Sequence, residues 1–156
     1  MTSTTETNPS VLTRLFKSES TDNFLLQLTG LIVRVAVGLL MIHNGVDKLG
    51  DVQGFADNVV AFIGLPFPVF FTYCAAYTEI VGSVLLVLGF FTRLDAALLL
   101  VTMAVAIFFH LKADGFKIMP LETASLYAML FLYFMASGGG ALSIDALLTT
   151  WMASDE

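Results

Sequence analysis

The sequence predicts an all-α membrane protein: a polytopic four-helix bundle with a short interfacial helix between spans one and two and a short amphipathic helix at the C-terminus. Hydrophobic residues make up 57% of the 156 residues and charged residues only 13%, whereas soluble globular proteins carry about 25% charged residues. The apolar residues form four continuous runs rich in Leu, Ala, Val and Met. Continuous runs favour membrane helices over the alternating strands of a membrane barrel.

The four apolar runs have lengths close to that required to cross a membrane. A helix rises 1.5 Å per residue and needs about 20 apolar residues to cross the hydrocarbon. The predicted spans cover approximately residues 24–46, 69–91, 94–111 and 123–136. The last is somewhat short and is closed by three glycines. An even number of spans places both termini on one side of the membrane.

The chain divides into three predicted segments. Residues 1–22 form a polar N-terminal tail, residues 23–142 a four-span membrane domain, and residues 143–156 a short amphipathic C-terminal segment. The first apolar run is longer than the core of a signal peptide, and no small-residue cleavage pattern follows closely. We therefore interpret it as a retained membrane helix.

Two shorter segments accompany the spans. Between spans one and two, apolar residues recur at helical spacing: Phe55, Val59, Phe62 and Ile63. The pattern favours a short helix lying in the membrane interface, and an ordered loop folded over the mouth of the bundle is the alternative. Near the C-terminus, Ser143 is suited to cap a short helix, and Trp151 is typical of the headgroup region.

Two opposite charges lie near the middle of the first two spans, Arg34 and Glu79. A charge at the bilayer centre costs about 2.5–3.5 kcal/mol on insertion scales, so we expect the two to pair. Small residues, which let helices approach closely, flank both charges: Gly30, Gly38, Gly45, Ala75, Ala76, Gly82 and Ser83. We predict that spans one and two pack through these stripes around a buried Arg34–Glu79 pair. The pair is either structural or part of a ligand site.

Polar residues also collect where span one leaves the membrane: His43, Asn44, Asp47 and Lys48. His110 ends span three, which runs parallel to span one, so both histidines approach the same membrane surface. Three interpretations stay open. The side chains are solvated at the interface, they hold a quinone or other small ligand beneath the 51–65 segment, or the histidines bind haem or a metal.

Several other classes of protein are disfavoured. The net charge of −6 argues against nucleic-acid binding, and a lone Cys74 supports no dithiol chemistry within one chain. Two histidines and one cysteine are too few for a dedicated structural zinc site, so we assign no metal ligands. We find no nucleophile–histidine–acid arrangement and no phosphate-binding glycine loop.

Four motifs in order along the chain resemble the DoxX family of small bacterial membrane proteins. They read RVAVGLLMIHNGVDKL from Arg34, GLPFP from Gly64, TEIVGSVLLVLGFFTRLDA from Thr78, and GGGALSIDALL from Gly138. Each is weak alone, but together they cover roughly residues 28–148. Asn44 here separates the histidine from the glycine that usually follows it in the family.

The resemblance implies a four-helix protein of the bacterial inner (plasma) membrane with both termini in the cytoplasm. Lys and Arg are evenly divided between the two sides, so the positive-inside rule does not select an orientation. The family is named for a subunit of an archaeal thiosulfate:quinone oxidoreductase. Other members are associated with membrane oxidoreductase complexes and with thiol stress defence.

The favoured function is therefore a subunit of a quinone-linked membrane redox system. It carries no intrinsic cofactor, binds a quinone and receives electrons from a partner protein in the bilayer, and it could also form a homo-oligomer. The candidate ligand-binding residues are Arg34, Glu79, His43, Asn44, Lys48 and His110. A non-catalytic assembly or anchoring protein is the alternative, and a carrier of small solutes or protons is less favoured. The residues leave open whether the chain itself is an enzyme.

Overall fold

The computed structural model describes residues 23–154, which form six helices and, within that range, no strand. They are α1 (Phe24–Gly50), α2 (Val52–Ile63), α3 (Pro68–Leu88), α4 (Thr92–Asp114), α5 (Ile118–Ser137) and α6 (Ile144–Ser154). The all-helical prediction is confirmed for these residues. The predicted polar tail, residues 1–22, lies outside the described part of the chain.

Three of the helices, α1, α3 and α4, are long and apolar enough to cross a membrane. The apolar part of α5, Leu121–Ser137, is shorter. At 1.5 Å per residue, the 27 residues of α1 extend about 40 Å, so its last turn projects beyond the hydrocarbon or requires a tilt. The described residues thus support a membrane protein with at least three candidate spans.

Local signals set the helix ends. The Asn23 side chain accepts hydrogen bonds from the backbone N–H groups of Leu25 and Leu26, which caps the start of α1. Pro68 begins α3, where its missing N–H costs nothing. Gly89 ends α3 with a φ of 68°, a left-handed conformation that glycine adopts without steric cost. The short turn after Gly89 then leads directly into α4.

Glycines bring α1 and α3 together as an antiparallel pair. A Cβ atom built on Gly38 would lie 3.0 Å from the Ser83 carbonyl oxygen, and one built on Gly45 would lie 2.8 Å from the Ala76 carbonyl oxygen. The helix backbones therefore touch at both glycines, as small residues allow in lipid. The predicted packing of spans one and two through small residues is confirmed at these two positions.

Helix α4 packs mainly on α5, and α3 packs less extensively on α4 than on α1. The bundle is thus built from two tight pairs, α1 with α3 and α4 with α5. Buried apolar side chains join the pairs: Val37, Met41, Leu86, Ala96, Leu99, Met103, Phe131 and Phe134. Some space remains between the two pairs.

The glycine contact gives a first prediction. Gly45→Ala is expected to destabilise the protein by about 1–3 kcal/mol, because the added methyl group meets the Ala76 carbonyl oxygen of the backbone at 2.8 Å as well as the Ile80 side chain at 2.7 Å. Gly30→Ala is the matched control on the same helix, since nothing lies within 4 Å of its Cβ position. The control is expected to be neutral or to stabilise by up to about 1 kcal/mol through helix propensity. Unfolding by SDS in mixed micelles measures both, and equal changes would contradict the close contact.

Candidate functional site

A cavity of about 600 Å³ lies between the two helix pairs and beneath α2. Most of its wall is apolar and comes from α2, α3 and α4. The polar side chains in the wall are few: Asn44, Lys48, Thr78, Glu79, Thr102, His110, Thr123 and Tyr127. A mostly apolar cavity of this size with a small number of polar groups is typical of a small-molecule site.

The strongest polar feature of the wall is an ion pair between Lys48 and Glu79. The Lys48 ammonium nitrogen lies 2.6 Å from a Glu79 carboxylate oxygen. The Glu79 side chain is 2% exposed and that of Lys48 is 16% exposed. Lys48 also donates to the Asn44 carbonyl oxygen at 3.3 Å and stands 5.2 Å above the centre of the Phe55 ring. These contacts hold a charge pair at the edge of an apolar space.

The predicted Arg34–Glu79 pair is wrong. The two residues lie at different depths, because Arg34 faces Gly89, which directly follows α3: a Cβ atom there would lie 2.6 Å from the guanidinium. Gly89 follows Glu79 by ten residues, which is about 15 Å along a helix axis. The prediction assumed that the middle of each apolar run lies at the same depth in the membrane. Helix α1, however, continues four residues past the predicted end, and this extension brings Lys48 to Glu79.

Arg34 instead clamps the segment between α5 and α6. Its guanidinium donates hydrogen bonds to the carbonyl oxygen of Gly139 and, at 2.7 Å, to that of Leu142. Arg34 is 1% exposed and is not part of the cavity wall. Of the two interpretations left open for Arg34, the geometry supports the structural one.

Asp145 completes this buried polar cluster. Its carboxylate accepts hydrogen bonds from the backbone N–H groups of Phe91, at 2.8 Å, and Thr92, at 2.9 Å. It therefore caps the start of α4 from a distant part of the chain, and its negative charge acts on Arg34. The Asp145 N–H in turn donates to the Gly89 carbonyl oxygen at 2.9 Å. We call Arg34, Gly89, Gly139 and Asp145 the Arg34 cluster.

The Arg34 cluster leaves no room for side chains at its glycines. A Cβ atom on Gly139 would lie 2.9 Å from the Arg34 guanidinium and 2.7 Å from the Thr92 hydroxyl oxygen. The glycine-rich motif that follows α5 thus allows the backbone to approach a buried arginine. Its function in the fold is to expose carbonyl oxygens to that arginine.

The two predicted histidines are placed differently. His43 faces outward from α1 with its side chain 77% exposed, and its Nε2 atom lies 3.3 Å from an Asp47 oxygen. His110 is part of the cavity wall and lies near Asp114, with 3.8 Å between Nδ1 and the carboxylate. Only one histidine therefore reaches the cavity. Within residues 23–154, no group of three or more potential metal ligands comes together.

Four of the six predicted site residues line the cavity: Asn44, Lys48, Glu79 and His110. The sequence reasoning missed Thr102, whose hydroxyl donates to the Leu99 carbonyl oxygen at 2.8 Å. Its spacing of eight residues from His110 puts both on one helix face and could have revealed it. Lys48 likewise lies on the same face of α1 as Gly45, three residues earlier. Because Gly45 was predicted to pack on span two, this spacing indicates that Lys48 also faces span two.

Comparison with known proteins decides the family. The sequence model described as DoxX matches residues 29–111, which contain every predicted site residue. The chain belongs to the DoxX family. An uncharacterised protein of Haemophilus influenzae is 50% identical over 118 residues, covering 72% of this chain and 85% of that protein. The inner membrane protein YphA of Escherichia coli K12 is 33% identical over 124 residues, covering 74% of this chain and 86% of its own.

No solved structure matches the chain significantly. The DoxX match extends over α1 to α4 and includes the Lys48–Glu79 pair and His110. It ends before Gly139 and Leu142, whose carbonyl oxygens accept hydrogen bonds from Arg34. The family assignment therefore rests on the part of the chain that forms most of the cavity wall, and this DoxX protein is a membrane protein.

Proposed function

We propose that this DoxX protein is a subunit of a quinone-linked membrane redox system and that its cavity holds the quinone headgroup. The observation that carries the proposal is an apolar cavity of about 600 Å³ whose wall contains a buried Lys48–Glu79 ion pair and His110. A quinone needs an apolar space for its ring and hydrogen-bond donors for its two carbonyl oxygens. The cavity combines both.

Two side chains are suited to the quinone oxygens. The Lys48 ammonium has three N–H donors and makes hydrogen bonds to Glu79 and to the Asn44 carbonyl oxygen. One donor can therefore turn to a ligand. His110 can donate a hydrogen bond through an N–H group of its imidazole ring. Reduction of a quinone adds protons to its oxygens, and in this proposal the Glu79 carboxylate in the cavity wall passes them on.

The electrons come from a partner protein in this proposal. The whole chain contains two histidines and one cysteine, fewer ligands than an iron–sulfur cluster requires. Exposed apolar side chains cover the outer faces of the spanning helices, for example Leu39, Leu40 and Val81. These faces serve contact with lipid and with a membrane partner or a second copy of the chain.

The proposed topology has four spans, with α5 as the fourth, and termini in the cytoplasm. The apolar part of α5 covers about 25 Å at 1.5 Å per residue, enough for a thin or locally compressed bilayer. Helices α2 and α6 lie in the interfaces. On α6, Leu147 is 67% exposed and Trp151 is 77% exposed, as expected for a helix that rests on the headgroup region.

Glu79→Gln tests the site. The amide keeps the size of the side chain but removes the charge that orients Lys48, so we expect ubiquinone affinity to fall at least tenfold. Quinone-dependent turnover of the native complex is expected to fall with it. Asp47→Asn is the matched control, because that acid is exposed and pairs with His43 outside the cavity. Unchanged affinity and turnover in Glu79→Gln reject the quinone site.

The Arg34 cluster favours the second candidate, an assembly or anchoring protein, because it uses an intramembrane charge purely for packing. In that case Glu79→Gln lowers thermal stability and leaves every ligand measurement unchanged. A stable partner that co-purifies without quinone supports this candidate. Native mass spectrometry of gently purified protein identifies partner chains and quinones together.

A further inference from the structure

We propose that the cavity takes its ligand sideways from the bilayer, through a gap between α3 and α4. The ligand is an amphiphile whose polar head reaches the Lys48–Glu79 pair and whose apolar tail stays in the lipid. This inference rests on the proposed function, which assigns a ligand to the cavity. It adds the route and the chemical class: a tailed, membrane-dissolved molecule and not a water-soluble one.

The end of the cavity nearest the water is covered by α2. The Lys112 ammonium donates to the Phe62 carbonyl oxygen at 2.8 Å, which ties the end of α2 to α4. The rings of Phe62 and Phe109 meet edge to face with 5.8 Å between their centres. At the other end of α2, Lys48 stands over the ring of Phe55. Helix α2 is therefore fastened to α1 and to α4, and it forms the roof of the cavity.

Helices α3 and α4 are in close contact at Gly82, where a Cβ atom would lie 3.5 Å from Leu99. Every α3 residue of the cavity wall lies farther from the connecting turn than Gly82. Farther from the turn, three of the five α3 side chains in the cavity wall are small, namely Cys74, Ala75 and Thr78, and the other two are Phe71 and Glu79. Because these α3 side chains are small and α4 does not approach more closely there, a space stays open between the two helices.

Residues that line the cavity and are also exposed on the outer face of the bundle mark its opening. On α3 and α4 they are Cys74, Leu98, Val101 and Val105, which we call the lateral opening, and Thr123 on α5 is a further exposed wall residue. Leu98 is 48% exposed, Val101 61% and Val105 38%. Side chains that contact both the cavity and the outside of the bundle are the expected rim of an opening, and we therefore place the opening between α3 and α4.

The lateral opening lies at the depth of the hydrocarbon. Val101 precedes the end of α4 at Asp114 by thirteen residues, about 20 Å along the helix. None of the four residues of the lateral opening is charged, whereas the Lys48–Glu79 pair lies inside. The arrangement fits a molecule with a polar head and an apolar tail, oriented with the head inward. A water-soluble ligand would have to cross hydrocarbon to use this route.

Photolabelling in nanodiscs tests the route. The probe is a ubiquinone analogue with a photoreactive group on the first isoprenoid unit of its tail, and competition with ubiquinone-10 defines specific labelling. We expect specific labels on Cys74 and on α4 between Leu98 and Val105. Val101→Trp narrows the lateral opening and is expected to reduce specific labelling at least fivefold. Leu94→Trp is the control, because Leu94 is 48% exposed on the same helix but is not part of the wall.

The outcomes separate this inference from the proposed function. Specific labels confined to α2, with Val101→Trp labelled as strongly as the wild type, overturn the lateral route and leave the quinone site standing. Absence of any labelling that ubiquinone-10 displaces overturns both. Val101 faces lipid, so tryptophan at this position replaces one lipid-facing apolar group by another and the variant is expected to fold.

Discussion

Replacing Arg34 by methionine is expected to destabilise the protein by about 3–5 kcal/mol, the usual loss when one member of a buried charged network is removed. The substitution takes away both donors to the Gly139 and Leu142 carbonyl oxygens. It also leaves the buried Asp145 without its positive neighbour. SDS-induced unfolding in mixed micelles measures the change. We expect the connection between α5 and α6 to become accessible to protease in the same variant.

Two further variants make this result specific. Lysine at position 34 keeps the charge but lacks the planar fork that binds two carbonyl oxygens at once. Arg34→Lys is therefore expected to lose about 1–3 kcal/mol, between wild type and methionine. Lys117→Met controls for the loss of a basic side chain, since Lys117 is 71% exposed and pairs only loosely, at 3.3 Å, with Asp114. Wild-type stability of Arg34→Met would contradict a structural function for the cluster.

Replacing Lys48 by methionine is expected to have the second largest effect, again about 3–5 kcal/mol, because it leaves the buried Glu79 carboxylate without a counter-charge. Quinone affinity is expected to fall in the same variant, since the ammonium is the strongest donor in the wall. Thermal unfolding at two protein concentrations separates this loss from any change in oligomeric state.

The double variant Lys48→Met/Glu79→Leu provides the sharper measurement. An ion pair replaced by apolar groups of similar size often leaves stability unchanged or improved. We therefore expect the double variant to recover most of the stability lost by Lys48→Met while failing to bind quinone. Additive losses from the two substitutions would show that the charges do not interact.

Much of the fold follows from the sequence because membrane helices are long, continuous and apolar. The predicted spans correspond to α1, α3, α4 and α5 with ends displaced by a few residues. The error at the end of span two has a physical cause. Apolar residues continue through the turn at Gly89, and the start of α4 is fixed by Asp145, 53 residues after Thr92. Local patterns carry no information about such a distant cap.

The candidate site was predicted in part. Of the polar residues at the end of span one, Asn44 and Lys48 are on the cavity wall together with His110, whereas His43 and Asp47 face outward. The choice of ion pair failed because a sequence gives the order of residues along each helix but not the register between helices. That register is set by where Gly38 and Gly45 touch α3. The glycines were correctly singled out, and counting from them instead of from the centres of the runs leads to Lys48 and Glu79.

The cap on α4 has a consequence for biosynthesis. Ribosomes add about 5–20 residues per second, so the Asp145 carboxylate emerges about 3–10 s after the Thr92 N–H group that it binds, 53 residues earlier. During that interval α4 enters the bilayer with an incomplete first turn. The nascent chain reaches its final arrangement only when the segment that contains Asp145 folds back onto α4. Until then we expect the insertion machinery or a chaperone to protect the incomplete bundle.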